Sequence, residues 1–277
     1  IFVSREYSAA GANSMVTRSD DAVAVRFGDT DAPTLVSRYI PHEHDPTVLA
    51  VVANDEQVYV AGVADQAIEG GNRFVGSSYP SVLPPSIQQD LKTLTRTVGH
   101  AIARKGYRGI FGCDFIVDRN GRVVLIELNA RKQGTTMEFC CTLEQHLPGG
   151  TPNLIELDYT AVTTATLPAN IPELDGKDAE FCWATYNHKV QAGVMTTKTI
   201  DEAPEERRLF ARVSAGGETR YTILDHVGAG VEVNAGAFVG RAVAVGRARQ
   251  DVRTALKQAR ARIEASYRPA ADGAATA

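Results

Sequence analysis

The sequence predicts an α+β fold built mainly from antiparallel sheets, and three observations point there. Short apolar runs with strand character recur at residues 1–6, 22–27, 35–40, 47–52 and 57–63, separated by small or polar turn residues. One segment, 86–106, carries a strong helical period. Two further strand-like runs, 109–118 and 122–129, flank Asn120-Gly121, a strong hairpin signal. Strands that follow strands, without regular helical crossovers, favour antiparallel pairing.

The elements follow in order. Ile1-Phe2-Val3-Ser4-Arg5 opens in strand pattern with no initiator Met and no signal-peptide design, so an upstream segment is expected. A small-residue stretch, Ser8 to Asn13, follows it. Pro41-His42-Glu43-His44-Asp45-Pro46 interrupts the early strands, Asn54-Asp55-Glu56 reads as a turn, and 70–85 reads as a loop rich in Gly, Asn, Ser and Pro. The helix then starts with Ser86 as N-cap and stops at Gly106. Its apolar positions Ile87, Leu91, Leu94, Val98 and Ile102 define one packing face. Helices are expected at 136–147 and, more weakly, 153–164. Strands are expected near 181–186, 194–198, 209–213, 221–224 and 239–245. A basic amphipathic helix over 249–267 leads to an Ala-rich tail, 269–277, with the composition of disorder.

A chain of 277 residues can bury a sizeable core, as one domain or as two lobes around a cleft. Its 44% apolar and 22% charged content is that of an ordinary globular protein, and a net charge of -4 argues against nucleic acid or an anionic membrane as partner. No apolar run is long enough to span a bilayer. Cys113, Cys140, Cys141 and Cys182 lack framework spacing, so free thiols in a reducing cytoplasm are expected.

The hairpin carries the chemistry. With Asn120 and Gly121 as its loop, Arg119 faces Arg122, Asp114 lies opposite Glu127, and Gly112 lies opposite Asn129. Asp114, Glu127, Asn129 and Arg131 then share one face, while Cys113, Phe115, Val117, Val124, Ile126 and Leu128 make the other face apolar. Two carboxylates opposed at about 5 Å repel, and a cation between them answers that repulsion. Carboxylates and an Asn oxygen are hard ligands that favour Mg²⁺ over Zn²⁺, and Arg131 adds a fork for phosphate or carboxylate. A solvated hairpin with two chance acids is the bland alternative. His42-Glu43-His44-Asp45 mimics a metal cluster, but consecutive residues rarely converge on one ion. His100 and His146 read as packing or surface residues, and Cys140-Cys141 as buried thiols.

Asp114, then Glu127-Leu128-Asn129-Ala130-Arg131, after Tyr107-Arg108-Gly109 and a long helix, resembles the magnesium and phosphate signature of the ATP-grasp family, over residues 1 to about 135. The resemblance implies an ATP-grasp fold of two lobes that clamp ATP, with Asp114, Glu127 and Asn129 holding Mg²⁺ and Arg131 meeting phosphate or acyl substrate. It implies that Ser8, Ala9, Ala10, Gly11, Ala12 and Asn13 close over the phosphates, with Arg5 where the family has a phosphate-binding Lys. It further implies that Ser37, Arg38, Tyr39 and Ile40 form the adenine hinge, and that Glu43 or Asp45 meets the ribose. The lid would span 1–36, the core lobe 37–268 and the tail 269–277.

The activity implied is that of an ATP- and Mg²⁺-dependent carboxylate–amine ligase, acting through an acyl phosphate on amino acids, peptide-like acids or short peptides. Natural-product biosynthesis suits that breadth, and a homodimer is left open. Glu127-x-Asn129-x-Arg131-x-Gln133 is shared with biotin-dependent carboxylases, but that branch continues with Val-Glu-His where this chain has Gly134-Thr135-Thr136. A nucleotide-binding regulatory protein without turnover is the alternative from another class.

Overall fold

The computed structural model describes residues 1–5, 14–28, 32–70, 73–174, 176, 179–200 and 206–270. Its first part is a small sheet of β1 (Phe2–Arg5), β2 (Ser14–Val16) and β3 (Thr34–Ser37), in the order β2-β1-β3, with helix α1 (Asp20–Phe27) between β2 and β3 in sequence. The run 22–27, expected as a strand, is therefore helical. Its start explains why: the Ser19 hydroxyl accepts from the Ala22 amide at 3.3 Å, and Asp20 and Asp21 sit in the first turn, against the positive end of the helix dipole. Ser37, assigned to the hinge, pairs with Phe2 and ends β3, while residues 38–40 are not strand.

The main sheet contains β4 (Pro46–Val52), β5 (Val58–Glu69), β6 (Arg73–Tyr79), β7 (Gly109–Val117), β8 (Val123–Asn129), β9 (Cys182–Lys189), β11 (Arg220–Leu224) and β13 (Phe238–Gly246). Their order is β11-β13-β9-β6-β5-β4-β7-β8, with every neighbouring pair antiparallel. β6 lies inside the stretch expected to be a loop. Its Gly and Ser content hid a central strand, in which the Ser77 amide donates to the Thr185 hydroxyl at 2.9 Å. A second small sheet, β12-β10-β14, joins β10 (Val194–Thr196), β12 (Glu232–Val233) and β14 (Tyr267–Pro269). Pro269 pairs with Val194, so the start of the expected tail is ordered strand, and residues 271–277 lie outside the described residues.

Helices cover both faces of the main sheet. On one face α2 (Pro85–Ala103) packs Leu91 against Val48, Ala50, Val52, Phe111 and Phe115, and α6 (Arg249–Glu264) packs Ala259 and Ile263 against Val239 and Ala242. On the other, α3 (Thr136–His146), α4 (Leu154–Thr164) and α5 (Glu206–Ser214) bring Phe139, Leu157 and Phe210 onto Leu49, Val51 and Trp183. β4 is buried on both faces and sends alternate residues to each core. α2 begins at Pro85 with no side-chain cap, which replaces the expected Ser86 cap. Leu94 is exposed, and Thr95 takes the buried position by donating its hydroxyl to the Leu91 carbonyl at 2.8 Å. The run 209–213, expected as a strand, lies in α5, where Leu209, Phe210 and Val213 form a helical face. Among the described residues no helix is long and apolar enough to cross a membrane, and all four cysteines are buried free thiols.

The β7–β8 hairpin reaches the expected register by an unexpected route. Asp114 pairs with Glu127 and Gly112 with Asn129. At the turn, however, Arg119, Asn120 and Gly121 all lie in the loop. The Gly121 amide donates to the Asp118 carbonyl at 2.9 Å, and the Asp118 carboxylate accepts from the Asn120 and Arg122 amides. A bulge compensates: Phe115 pairs with Leu125, so Ile126 is the extra residue on β8. β8 is also the sheet edge, so Ile126 and Leu128, expected to face the core, are exposed, as is Leu125.

Gly121 has φ 77°, whereas Asn120 is not left-handed. Gly121→Ala should therefore cost about 1 kcal/mol in urea unfolding, while Asn120→Ala should stay within about 0.5 kcal/mol. Equal losses would restore the two-residue loop.

Candidate functional site

Three adjacent strands place the central group. Thr47 on β4, Asp114 on β7 and Glu127 on β8 stand side by side in the ladder, on one face of the sheet. Asp114 is buried among polar donors. Its Oδ1 accepts from the Thr47 hydroxyl at 2.6 Å and from Gln133 Nε2 at 3.3 Å, and its Oδ2 accepts from Asn129 Nδ2 at 3.0 Å. Burial pushes the Asp114 carboxyl above its ordinary range, against these bonds, a further bond with Gln66 and the Arg131 charge. Glu127 is exposed at the sheet edge; the desolvation it does suffer and then the Asp114 charge push its carboxyl up, while Arg131 and Asn129 oppose the shift.

Arg131 is fixed to the same cluster. Its guanidinium donates to Asn129 Oδ1 at 2.8 Å and to the Lys132 carbonyl at 3.1 Å. The space expected beside Gly112 is filled by Gln133, because a Cβ on Gly112 would stand 2.0 Å from Gln133 Oε1. The donors around Asp114 and Glu127 are oxygen and amide groups, with the Cys113 thiol on the opposite, apolar face. Among the described residues no group of three or more His, Cys, Asp or Glu side chains is arranged to hold a metal. A hard cation here would therefore rely on the two carboxylates together with the Asn129 carbonyl oxygen, a donor set that fits Mg²⁺. Asn129 presents its nitrogen to Asp114 in this arrangement, and rotating the amide by half a turn would present the oxygen at the expense of its bond from Arg131.

Two of the residues expected to form the hinge flank a second feature. A pocket of about 430 Å³ opens between Arg38, Ile40 and Pro41 on one side and the hairpin turn, Asp118, Arg119, Asn120 and Arg122, on the other. The following segment hugs the end of β7: the Glu43 amide donates to the Val117 carbonyl at 3.0 Å, and His44 bridges Val117. His42 is held between the Ile40 carbonyl at 2.8 Å and the Asp45 carboxylate at 2.9 Å, with the Tyr39 ring tilted against it at 5.9 Å. The histidine thus engages Asp45, whereas Glu43 is exposed.

Asp114, Glu127, Asn129 and Arg131 are brought together as the sequence implied. Arg5 lies on β1 in the small sheet, with its guanidinium 5.6 Å above the Phe27 ring. Residues Ser8, Ala9, Ala10, Gly11, Ala12 and Asn13 lie outside the described residues. Thr47, Gln66 and the turn residues lining the pocket escaped sequence reasoning. Thr47 reaches Asp114 only through the β4–β7 register, which no local pattern specifies.

This fold, with its three-stranded amino-terminal sheet and its acid-bearing hairpin, is the ATP-grasp fold. Residues 2–135, just under half of the chain, match the family model described as ATP-grasp domain. Among curated relatives, [Butirosin acyl-carrier protein]--L-glutamate ligase of Niallia circulans is 29% identical over 117 residues, 42% of this chain and 28% of that protein. L-propargylglycine--L-glutamate ligase of Streptantibioticus cattleyicolor is 29% identical over 89 residues, 32% of this chain and 18% of that protein. Among solved structures, carboxyaminoimidazole ribonucleotide synthase from Aspergillus clavatus, complexed with ATP, superposes with TM-score 0.65 at 15% identity, over 96% of this chain and 62% of that one. L-amino acid ligase from Bacillus licheniformis gives TM-score 0.62 at 12% identity over 96% and 62%, and biotin carboxylase from Campylobacter jejuni gives 0.62 at 16% over 92% and 56%. The chain thus spans less than a third of these curated relatives' length and under two thirds of the solved ones. The identities to solved structures establish the fold alone.

Gly112→Ala should expel Gln133 from beside Asp114 and lower stability by about 1–3 kcal/mol, as overpacking does. Gly112→Ala/Gln133→Ala should recover most of the loss in urea unfolding. A double variant as unstable as the single one would place the strain elsewhere.

Proposed function

We propose that this chain is the ATP-dependent catalytic part of a carboxylate–amine ligase. The observation that carries the reading is the pair Asp114 and Glu127, opposed across one hairpin with Asn129 and Arg131 beside them. Bound Mg²⁺ would neutralise phosphate charge and hold the nucleotide in place. Asp114, Glu127 and Asn129 are its proposed ligands, and Arg131 is proposed to orient phosphoryl oxygens or the acyl group. The hinge Ser37, Arg38, Tyr39 and Ile40, with Glu43 nearby, is assigned the adenine end, and Arg5 and residues 8–13 the phosphate cover.

Phosphoryl transfer asks the protein mainly for positioning and charge compensation. The substrate carboxylate oxygen forms a bond to the terminal phosphorus as the bond to ADP breaks. The amine then forms the new C–N bond at the acyl carbon, and phosphate leaves. The names of the glutamate and L-amino acid ligases among the relatives support amino acids or peptide-like acids as substrates, and the two glutamate ligases support a biosynthetic role.

Gln133, which hydrogen-bonds to Asp114, is the feature that favours a carboxylase-like alternative, together with the likeness to biotin carboxylase. Against it, Gly134-Thr135-Thr136 stands where that branch has Val-Glu-His, and the Thr136 hydroxyl accepts from the Gln133 amide at 3.0 Å.

Hydroxylamine decides between these readings. With ATP, Mg²⁺ and a panel of amino acids and short peptides, the full-length protein should yield hydroxamate and ADP. Glu127→Gln and Asp114→Asn should reduce that rate about 10²-fold or more with the fold intact. AMP as product, or near-normal rates in both variants, would overturn the assignment.

A further inference from the structure

Glu138 is fully buried in α3, and the mechanism above does not use it. One carboxylate oxygen accepts from Arg241 of β13, and the other has no hydrogen-bond partner among the described residues. Glu206, at the start of α5, is also buried with one oxygen unpartnered among the described residues. Burial raises the Glu138 carboxyl; Arg241 opposes that shift, and both the charge and a hydrogen bond of Glu206 add to it. The buried Glu138 carboxylate is thus held by one guanidinium, with the buried Glu206 carboxyl beside it.

The same Arg241 nitrogen that meets Glu138 also donates to the Gly134 carbonyl at 2.7 Å. Gly134 belongs to the loop from β8 to α3, which carries Arg131 and Gln133 into the candidate site. That loop is tied elsewhere by side chains: Arg131 to Asn129, Lys132 to Asp158 at 3.3 Å, and Gln133 to Asp114 and, through its amide, to the Thr136 hydroxyl. Around Gly134, nothing lies within 4 Å of where a side chain would begin. β13 is separated from β7 by β9, β6, β5 and β4, so the Arg241 bond reaches the loop from the far side of the sheet.

We propose that Arg241 is a positioning residue for the candidate phosphate site. Held in place by the buried Glu138, it fixes the Gly134 carbonyl and so sets where Arg131 and Gln133 stand relative to Asp114. This inference deepens the ligase reading and rests on it for the roles of Arg131 and Gln133. It also gives the carboxy-terminal half of the chain a direct part in shaping the site.

Removing Arg241 alone would strand a buried carboxylate and endanger folding. The informative variant is Arg241→Met/Glu138→Gln, which removes both charges, with Glu138→Gln alone as control because its amide oxygen still accepts from Arg241. Hydrogen exchange on the full protein, without substrates, reads the loop directly. Amides at 131–136 should exchange about tenfold faster or more in the double variant, with α2, α5 and the rest of α3 unchanged. Glu138→Gln should stay near wild type. In the hydroxylamine assay the double variant should lose kcat with little change in KM for ATP, as expected for misplaced transition-state contacts. Wild-type exchange at 131–136 in the double variant, or a rise spread evenly through α3 and α5, would overturn the positioning role. Because exchange is measured without nucleotide or acid, a failed ligase assay leaves that result standing.

Discussion

The structure is organised around a carboxylate that the sheet buries but does not neutralise. Asp114 sits on β7 between β4 and β8, where an apolar side chain would otherwise belong. Thr47, Gln133, Asn129 and Gln66 supply polar contacts, and still its carboxyl is driven upward. Leaving such a group half-satisfied is costly, so the surrounding strands must keep their register closely. The helices on both faces serve that end, because they clamp β4 and β7 from two cores at once.

Much of this was legible in the sequence where a feature was local. The Asn120-Gly121 signal located the hairpin, period two placed Asp114 opposite Glu127, and the helical period found α2. What failed depended on partners distant in the chain. Ala22 to Phe27 alternates like a strand, yet Ser19, Asp20 and Asp21 make it a helix. Leu209 to Val213 shows apolar residues of either period, and packing on α3 and β13 settled it as α5. β6 is poor in apolar residues, and it meets β9 through the Thr185 hydroxyl, which bonds the Ser77 backbone. Thr47 carries no motif at all and gains its place only from strand pairing. The exposed Ile126 shows the converse: an apolar residue facing solvent at a sheet edge, where composition predicted a core.

The two halves of the chain also differ in how they were readable. The amino-terminal half carries the family signature, and its elements serve the hairpin directly. The carboxy-terminal half has no comparable motif, yet it supplies Trp183, Phe210 and Val243 to the same core as Phe139. It also supplies Arg241, whose hydrogen bond to the Gly134 carbonyl crosses from β13 to the loop after β8. The site loop is therefore a product of the whole main sheet.

The bulge at Ile126 has an evolutionary meaning. Side chains on a strand obey parity, so adding or deleting one residue at a hairpin tip inverts the facing of everything beyond it. Here the bulge lies between the tip and the acids, and it absorbs the odd residue of the loop before Glu127 is reached. The tip of this hairpin, which lines the pocket beside Arg38, is thereby uncoupled from the phase of Asp114 and Glu127. A lineage could change the tip by a residue and keep its acids facing one another, provided it gained or lost the bulge in the same step.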